Sequence, residues 1–311
     1  MASSRYRLRF LPHPPHLTAM VAASISVVAA LALPAAASQT AWSTGQPEAR
    51  ARLIGGAATA EAAAFGAPAG SAMAAVEIEL AKGWKTYWRF PGDAGGVPPV
   101  FNWSKSTNVK SARVLFPAPE RISDRAGDLL GYSGSVTMPV VVEAADPAKT
   151  VTLNVTMEYG VCREICIPVE TEFNLALEPG GGGGLPAAVA AALDQVPRPA
   201  DTLRPNDPRL KRTTVTLDGG KPVLTIEAEF PGSAPGSVPG NAANADVYVE
   251  SPDGYYIPLA KRGSAKDIGN NVLRFDIDLT GAVEPGQIRG KTALVTLVSK
   301  VGRSEANITF D

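Results

Sequence analysis

Val151-Thr-Leu-Asn-Val-Thr-Met-Glu-Tyr-Gly-Val-Cys-Arg-Glu-Ile-Cys-Ile-Pro-Val-Glu-Thr-Glu-Phe-Asn-Leu-Ala-Leu177 is the stretch from which the fold can be read. Its odd positions up to the first cysteine are Val151, Leu153, Val155, Met157, Tyr159 and Val161. The even positions are Thr152, Asn154, Thr156, Glu158, Gly160 and Cys162. Beyond Cys166 the odd positions are again apolar, at Ile167, Val169, Phe173, Leu175 and Leu177, while Glu170, Glu172 and Asn174 share the even set with Cys166. A period of two marks a strand with one buried face. The stretch therefore reads as two strands joined by a turn. Both cysteines fall with the polar face, so the sulfurs are expected to oppose each other at the mouth of the turn, reachable from outside.

The same grammar extends outward. Val76-Glu-Ile-Glu-Leu80 and Val136 to Val142 are further short strand-like runs. Clusters at Pro91-Gly92, Gly95-Gly96, Pro98-Pro99 and Pro117-Ala-Pro119 interrupt any helical period. Within Trp84 to Gly95, Trp84, Tyr87 and Trp88 read as core aromatics and Asp93 as a turn residue. This is an all-β region of sandwich type. After Pro179, the run Gly180 to Gly184 holds no regular structure cheaply and marks a boundary. Pro186 to Gln195 then reads as a short Ala-rich helix with proline at its start. A second β region follows, with candidate strands Thr213–Leu217, Val223–Phe230, Asp246–Glu250, Val272–Leu279 and Ala293–Val298. The expected organisation is a leader over 1–38, a low-complexity Ala/Gly-rich segment over 39–70 and a β domain carrying the cysteines over 71–179. A linker with the helix follows over 180–204, then a second β sandwich over 205–311.

The leader reading rests on Arg5, Arg7 and Arg9, an apolar run from Leu17 to Leu33, and Ala35-x-Ala37 as the cleavage site. No later segment has the ~20 apolar residues of a membrane span. Export of the mature chain is the expectation that follows. Removing the three leader arginines leaves 26 of the 29 basic side chains against 30 acidic ones, which argues against nucleic acid as a partner. His13 and His16, the two histidines of the chain, both lie in the leader. A mature chain without histidine cannot run Ser-His-Asp or Cys-His catalysis and lacks the commonest zinc and copper ligand.

Cys162 and Cys166 are the two cysteines of the chain, and an oxidising compartment lets them pair. Three readings stand open: redox exchange, a structural bridge, and Cu(I) held by two thiolates with Met157 or Met138. A bridge over about five residues adds only roughly 2 kcal/mol by chain entropy, a poor staple, which favours exchange. Arg163 favours a thiolate; Glu158 and Glu164 oppose it. No cofactor or metal is assigned.

Gly83-Trp-Lys-Thr-Tyr-Trp-Arg-Phe-Pro-Gly-Asp-Ala-Gly95, Phe116-Pro-Ala-Pro-Glu-Arg121, Gly131-Tyr132, Met138-Pro-Val140 and Tyr159-Gly-Val-Cys-Arg-Glu-Ile-Cys-Ile-Pro168 occur in this order. Over about residues 70 to 178 they resemble the N-terminal periplasmic domain of the DsbD/ScsB protein-disulfide reductases, and the ScsB-like branch most. The resemblance implies immunoglobulin-like sandwiches and a cysteine pair, here Cys162 and Cys166, that relays electrons to periplasmic client proteins. In the family a membrane-embedded domain and a thioredoxin-like domain reload that pair. This chain stops at Asp311, so a separate membrane thiol donor is the expected partner. Which cysteine forms the mixed disulfide stays open. The family's cap loop corresponds to Asp128-Leu-Leu-Gly-Tyr132, making Leu129, Leu130 and Tyr132 the candidates for shielding the sulfurs. Copper tolerance and cytochrome c maturation are contexts the resemblance implies. The alternative is a non-enzymatic secreted adaptor with an inert bridge.

Overall fold

In a computed structural model, the described residues are 1, 39–56, 60–124, 127–177, 184–217, 220–231, 245–251 and 253–310. The leader beyond Met1 and the glycines Gly180 to Gly183 lie outside them. Among the described residues no helix is long and apolar enough to cross a membrane.

The first sandwich is built from two sheets. One contains β1 (Ala49–Gly56), β2 (Ala72–Leu80), β8 (Ser135–Ala144) and β5 (Val109–Val114), in the order β1-β2-β8-β5. The other runs β10-β9-β3-β7-β6, from β3 (Lys85–Gly92), β6 (Glu120–Asp124), β7 (Gly127–Ser133), β9 (Val151–Cys162) and β10 (Cys166–Leu177), with β4 (Val100–Asn102) also pairing β9. Leu53, Val76, Ile78, Met138 and Val140 from one sheet meet Trp88, Leu130, Leu153, Met157 and Tyr159 from the other in one core. The β1-containing sheet is covered on its far side as well. Phe65, beside the short helix α1 (Ala60–Ala63), and Leu193 of α2 (Ala187–Gln195) pack on Met73 and Val141, and Val189 packs on Ile54 and Ala75. Burial on both faces explains why β2 and β8 carry runs of apolar residues where one-sided strands alternate.

Strand β1 lies inside the segment expected to be low in complexity. It is held by alternation of its own: Ala49, Ala51 and Leu53 face inward, while Arg50 and Arg52 pair across the ladder with Glu79 and Glu77 at 2.8 and 2.7 Å.

The second sandwich comprises β11 (Arg198–Pro199), β18 (Arg303–Thr309), β17 (Thr292–Val298) and β14 (Asp246–Glu250) in one sheet. The other sheet holds β12 (Arg209–Thr216), β13 (Val223–Glu229), β16 (Val272–Asp278) and β15 (Lys266–Asp267), and a short turn of helix, α3 (Pro285–Ile288), precedes β17. Apart from the parallel β11–β18 pair, the ladders are antiparallel. Leu224, Phe275, Val295 and Phe310 form its core. The chain is thus nearly all β, in two immunoglobulin-like sandwiches.

The sandwiches meet through mixed chemistry. Tyr248 and Leu259 of the second join the core of the first, and the Tyr248 ring meets Trp88 edge-on at 5.8 Å. Arg89, stacked on Trp88, donates to Glu250 and Glu305 at 2.8 and 3.0 Å. Burial alone would lower its pKa, but the two carboxylates hold it above its usual value.

Candidate functional site

The two cysteines face each other across the β9–β10 hairpin as a disulfide, Cα to Cα 4.1 Å, with Arg163-Glu-Ile165 forming the turn. The ladder register is unbroken from Cys162/Cys166 to Val151/Leu177. The parity read in the sequence therefore holds through Gly160: Tyr159 and Val161 point into the core, and Cys162 points to the opposite face. The exposure of the two sulfurs differs. Cys166 is exposed, while Cys162 is only 3 % exposed. The expectation that both sulfurs are reachable is corrected by the side chains laid over that face.

Tyr87 is the main one. Strand β3 pairs with β9 so that Lys85 opposes Cys162 and Thr86 opposes Val161. The next residue, Tyr87, lies on the sulfur face beside Gly160, diagonal to Cys162. Its ring occupies a slot that two glycines create. A Cβ on Gly96 would lie 2.1 Å from the ring, and one on Gly160 3.2 Å from it. The Tyr87 hydroxyl reaches Cys162 Sγ at 2.9 Å and Cys166 Sγ at 3.2 Å. A disulfide has no S–H, so here the hydroxyl donates. Tyr87 is buried, as expected, but in the cluster on the sulfur face and not in the core that holds Trp88, because neighbours in a strand face opposite ways. Trp88 is the core residue, fully buried. Trp84 is half-buried, with the Arg163 guanidinium 5.5 Å from its ring centre.

The cap candidates divide by the same rule. Leu129, Tyr87 and Cys162 form one buried cluster, with Ala94 and Ile122 packed against it. Leu130 and Tyr132 do not shield the sulfurs. They alternate with Leu129 and lie in the sandwich core, where the Tyr132 hydroxyl donates to the Pro117 carbonyl at 2.7 Å. Burial pushes the Tyr132 phenol well above its ordinary pKa. The thiol-environment candidates are peripheral. Arg163 sits by Trp84, Glu164 is exposed in the turn, and Glu158 stands between Val100 and Glu170 in the ladder. Exposed apolar side chains lie on this side of the molecule: Ile165 in the turn next to Cys166, Val97 over Gly160, and, farther along the strand, Val100 beside Glu158. No group of three or more metal-ligating side chains occurs among the described residues.

This arrangement gives two sulfurs with different access, one hydroxyl aimed at both, and apolar side chains nearby. Cys166 is the sulfur open to solvent, and Cys162 is the one covered.

Residues 57–178 match the family of the thiol:disulfide interchange protein DsbD, N-terminal. Among solved structures, the chain is similar to the crystal structure of the N-terminal periplasmic domain of ScsB from Proteus mirabilis. The TM-score is 0.60 at 21 % identity, over 88 % of this chain and 98 % of that one. That likeness extends the shared fold across both sandwiches. None of the curated proteins matches the chain. The family match takes in the cysteine hairpin and the first sandwich from 57 onward, and supports a thiol:disulfide interchange domain there, similar to the N-terminal domain of DsbD.

Proposed function

We propose that the protein is a periplasmic electron carrier that reduces disulfides in client proteins and is itself reloaded by a membrane-embedded thiol donor. The observation that carries this reading is the asymmetry of the pair: Cys166 is exposed, and Cys162 is buried under a tyrosine hydroxyl 2.9 Å from its sulfur. An inert staple has no need of a hydrogen-bond donor aimed at its sulfurs. Export through the leader supports the compartment.

In reloading, a donor thiolate attacks Cys166 Sγ, the Cys162–Cys166 bond breaks, and Cys162 leaves as a thiolate that accepts the Tyr87 hydroxyl hydrogen bond. The donor's second thiolate then attacks its own sulfur in the mixed disulfide. The donor departs oxidised, and this protein holds the two electrons as a dithiol. In delivery, the Cys166 thiolate attacks a client disulfide and one client sulfur leaves, taking a proton from solvent. Cys162 then attacks Cys166 Sγ, re-forming the bridge and releasing the second client thiol. Each half-cycle moves two electrons. Ile165 and Val97 offer an apolar footing for either partner near Cys166.

The test is the reduction potential, read by equilibration in thiol buffers with trapping of free thiols. A value between about −270 and −120 mV supports the carrier. A value below about −300 mV marks a structural bridge and turns the reading to an adaptor. Replacing both Cys162 and Cys166 by serine should abolish client reduction while the protein stays folded.

A further inference from the structure

The shield over Cys162 has two parts, and both are held from the second sandwich. One part is the turn after β3, where Ala94 packs against the Tyr87–Leu129–Cys162 cluster and Gly96 closes the Tyr87 slot. The residue before Ala94 is Asp93. Its carboxylate accepts from the Tyr256 hydroxyl at 2.7 Å and from the Leu259 backbone N–H at 3.0 Å. The other part is the β6–β7 hairpin, in which Ile122 stands opposite Leu129. Arg262 donates to the Arg121 carbonyl at 2.9 Å and to the Ser123 hydroxyl at 3.4 Å, gripping the residues on both sides of Ile122. Arg121 is nearly buried and ties the hairpin again, to Asp246 at 3.0 Å and to Asp128 within the hairpin at 2.7 Å. The two parts also join each other, since the Ala94 N–H donates to the Asp128 carbonyl at 3.1 Å.

Tyr256, Leu259 and Arg262 belong to one stretch of irregular chain between β14 and β15. That stretch has few ladder bonds of its own. Its middle is fastened by Leu259, which is buried in the core of the first sandwich. From there it reaches one shield with Tyr256 and the other with Arg262.

We infer that the segment Tyr256–Arg262 of the second sandwich is a strap that sets how far Cys162 is shielded, with Asp93, Tyr256 and Arg262 as positioning residues. The inference rests on the carrier reading for its purpose, but not for its geometry. Neither shield needs to unfold to open. Releasing the Asp93 or the Arg262 contact frees one surface turn or hairpin, a local event of the kind that sets side-chain access in folded proteins.

The test uses the complete two-sandwich chain, reduced, with iodoacetamide as probe. Mass spectrometry of the separate peptides reads alkylation of Cys162 and Cys166 independently. Asp93→Ala and Arg262→Ala are each expected to speed alkylation of Cys162 by roughly tenfold, the factor that loss of a hydrogen bond to a charged group confers. Cys166 should stay within about twofold, because it is exposed already. Asp93→Asn keeps an acceptor oxygen for Tyr256 and Leu259 and should restore most of the protection. An unchanged Cys162 rate in both alanine variants overturns the strap. So does a parallel rise at both cysteines with a fall in the urea midpoint, which would mean general loosening. Because alkylation involves no client or donor, a reduction potential below the exchange range would remove the carrier and leave this result standing.

Discussion

Replacing Tyr87 by phenylalanine isolates the hydroxyl from the shield. The ring fills the same slot between Gly96 and Gly160, so packing over Cys162 is kept, and what goes is the donor at 2.9 and 3.2 Å from the two sulfurs. A hydrogen bond to a charged group is worth about 1.5–3 kcal/mol, and sulfur is a weak acceptor, so the lower end applies. The hydroxyl holds the thiolate of the reduced form more strongly than the neutral sulfurs of the bridge. Its loss therefore destabilises the reduced form by about 1.5 kcal/mol and moves the reduction potential about 30 mV more negative. The same loss makes Cys162 a poorer leaving group, and reduction by dithiothreitol should slow severalfold. The shift should grow with rising pH, because only the thiolate takes the charge-assisted bond. Potentials from thiol-buffer equilibration at several pH values, paired with stopped-flow reduction, measure both effects. A potential within about 10 mV of wild type at every pH would falsify the assigned role of the hydroxyl, whatever the rate does.

Gly96→Ala attacks the slot itself: φ is +149° there, and the new Cβ would fall 2.1 Å from the Tyr87 ring. Strain of about 1–3 kcal/mol is expected in the urea midpoint, together with faster alkylation of Cys162, and a variant with wild-type values in both would mean that the ring is not wedged. Asp246 gives a pH dependence. Burial pushes its carboxyl above the ordinary range, an effect that Arg121 only partly offsets. A raised acid stabilises the fold below its unfolded pKa, and that contribution drains away as pH rises toward the folded value. Urea midpoints of Asp246→Asn should therefore gain on wild type as pH rises from about 4 toward neutrality, and a constant gap between the two curves would refute the raised value.

The period of two over Val151 to Leu177 was sufficient to give the hairpin, its register and the face that each cysteine takes, because both strands bury one side against a single core. Alternation applied equally to Tyr87/Trp88 and to Leu129/Leu130 separates shield from core in both pairs. The aromatic composition of Trp84 to Trp88 obscured this, since three large rings invite one core assignment. Strand β1 was hidden for the opposite reason. Its inward residues are mostly alanine, and its clearest signal is the match of Arg50 and Arg52 to Glu79 and Glu77, which becomes visible only once the partner strand is known. The burial of Cys162 and the hold of Tyr256, Leu259 and Arg262 on the shields depend on chain segments 75 or more residues apart, 75 for Tyr87–Cys162 and 141 for Arg262–Arg121. No local period encodes such pairings.

The hairpin also fixes how strongly folding and redox state can influence each other. The bridge spans one turn of a ladder that runs eleven further residues on each strand, and, the contacts of Cys162 with Tyr87 and Leu129 aside, the apolar contacts of β9 and β10 lie on the face away from it. Breaking the bond gives up no core contact, only the small loop closure of roughly 2 kcal/mol. A thermodynamic cycle makes this reciprocal. If the bond adds that little to the fold, the fold adds no more than that to the bond, about 40 mV in potential. The protein can thus alternate between its two oxidation states without drawing on its conformational stability, and most of the free energy of the bond remains available to whichever protein exchanges with it.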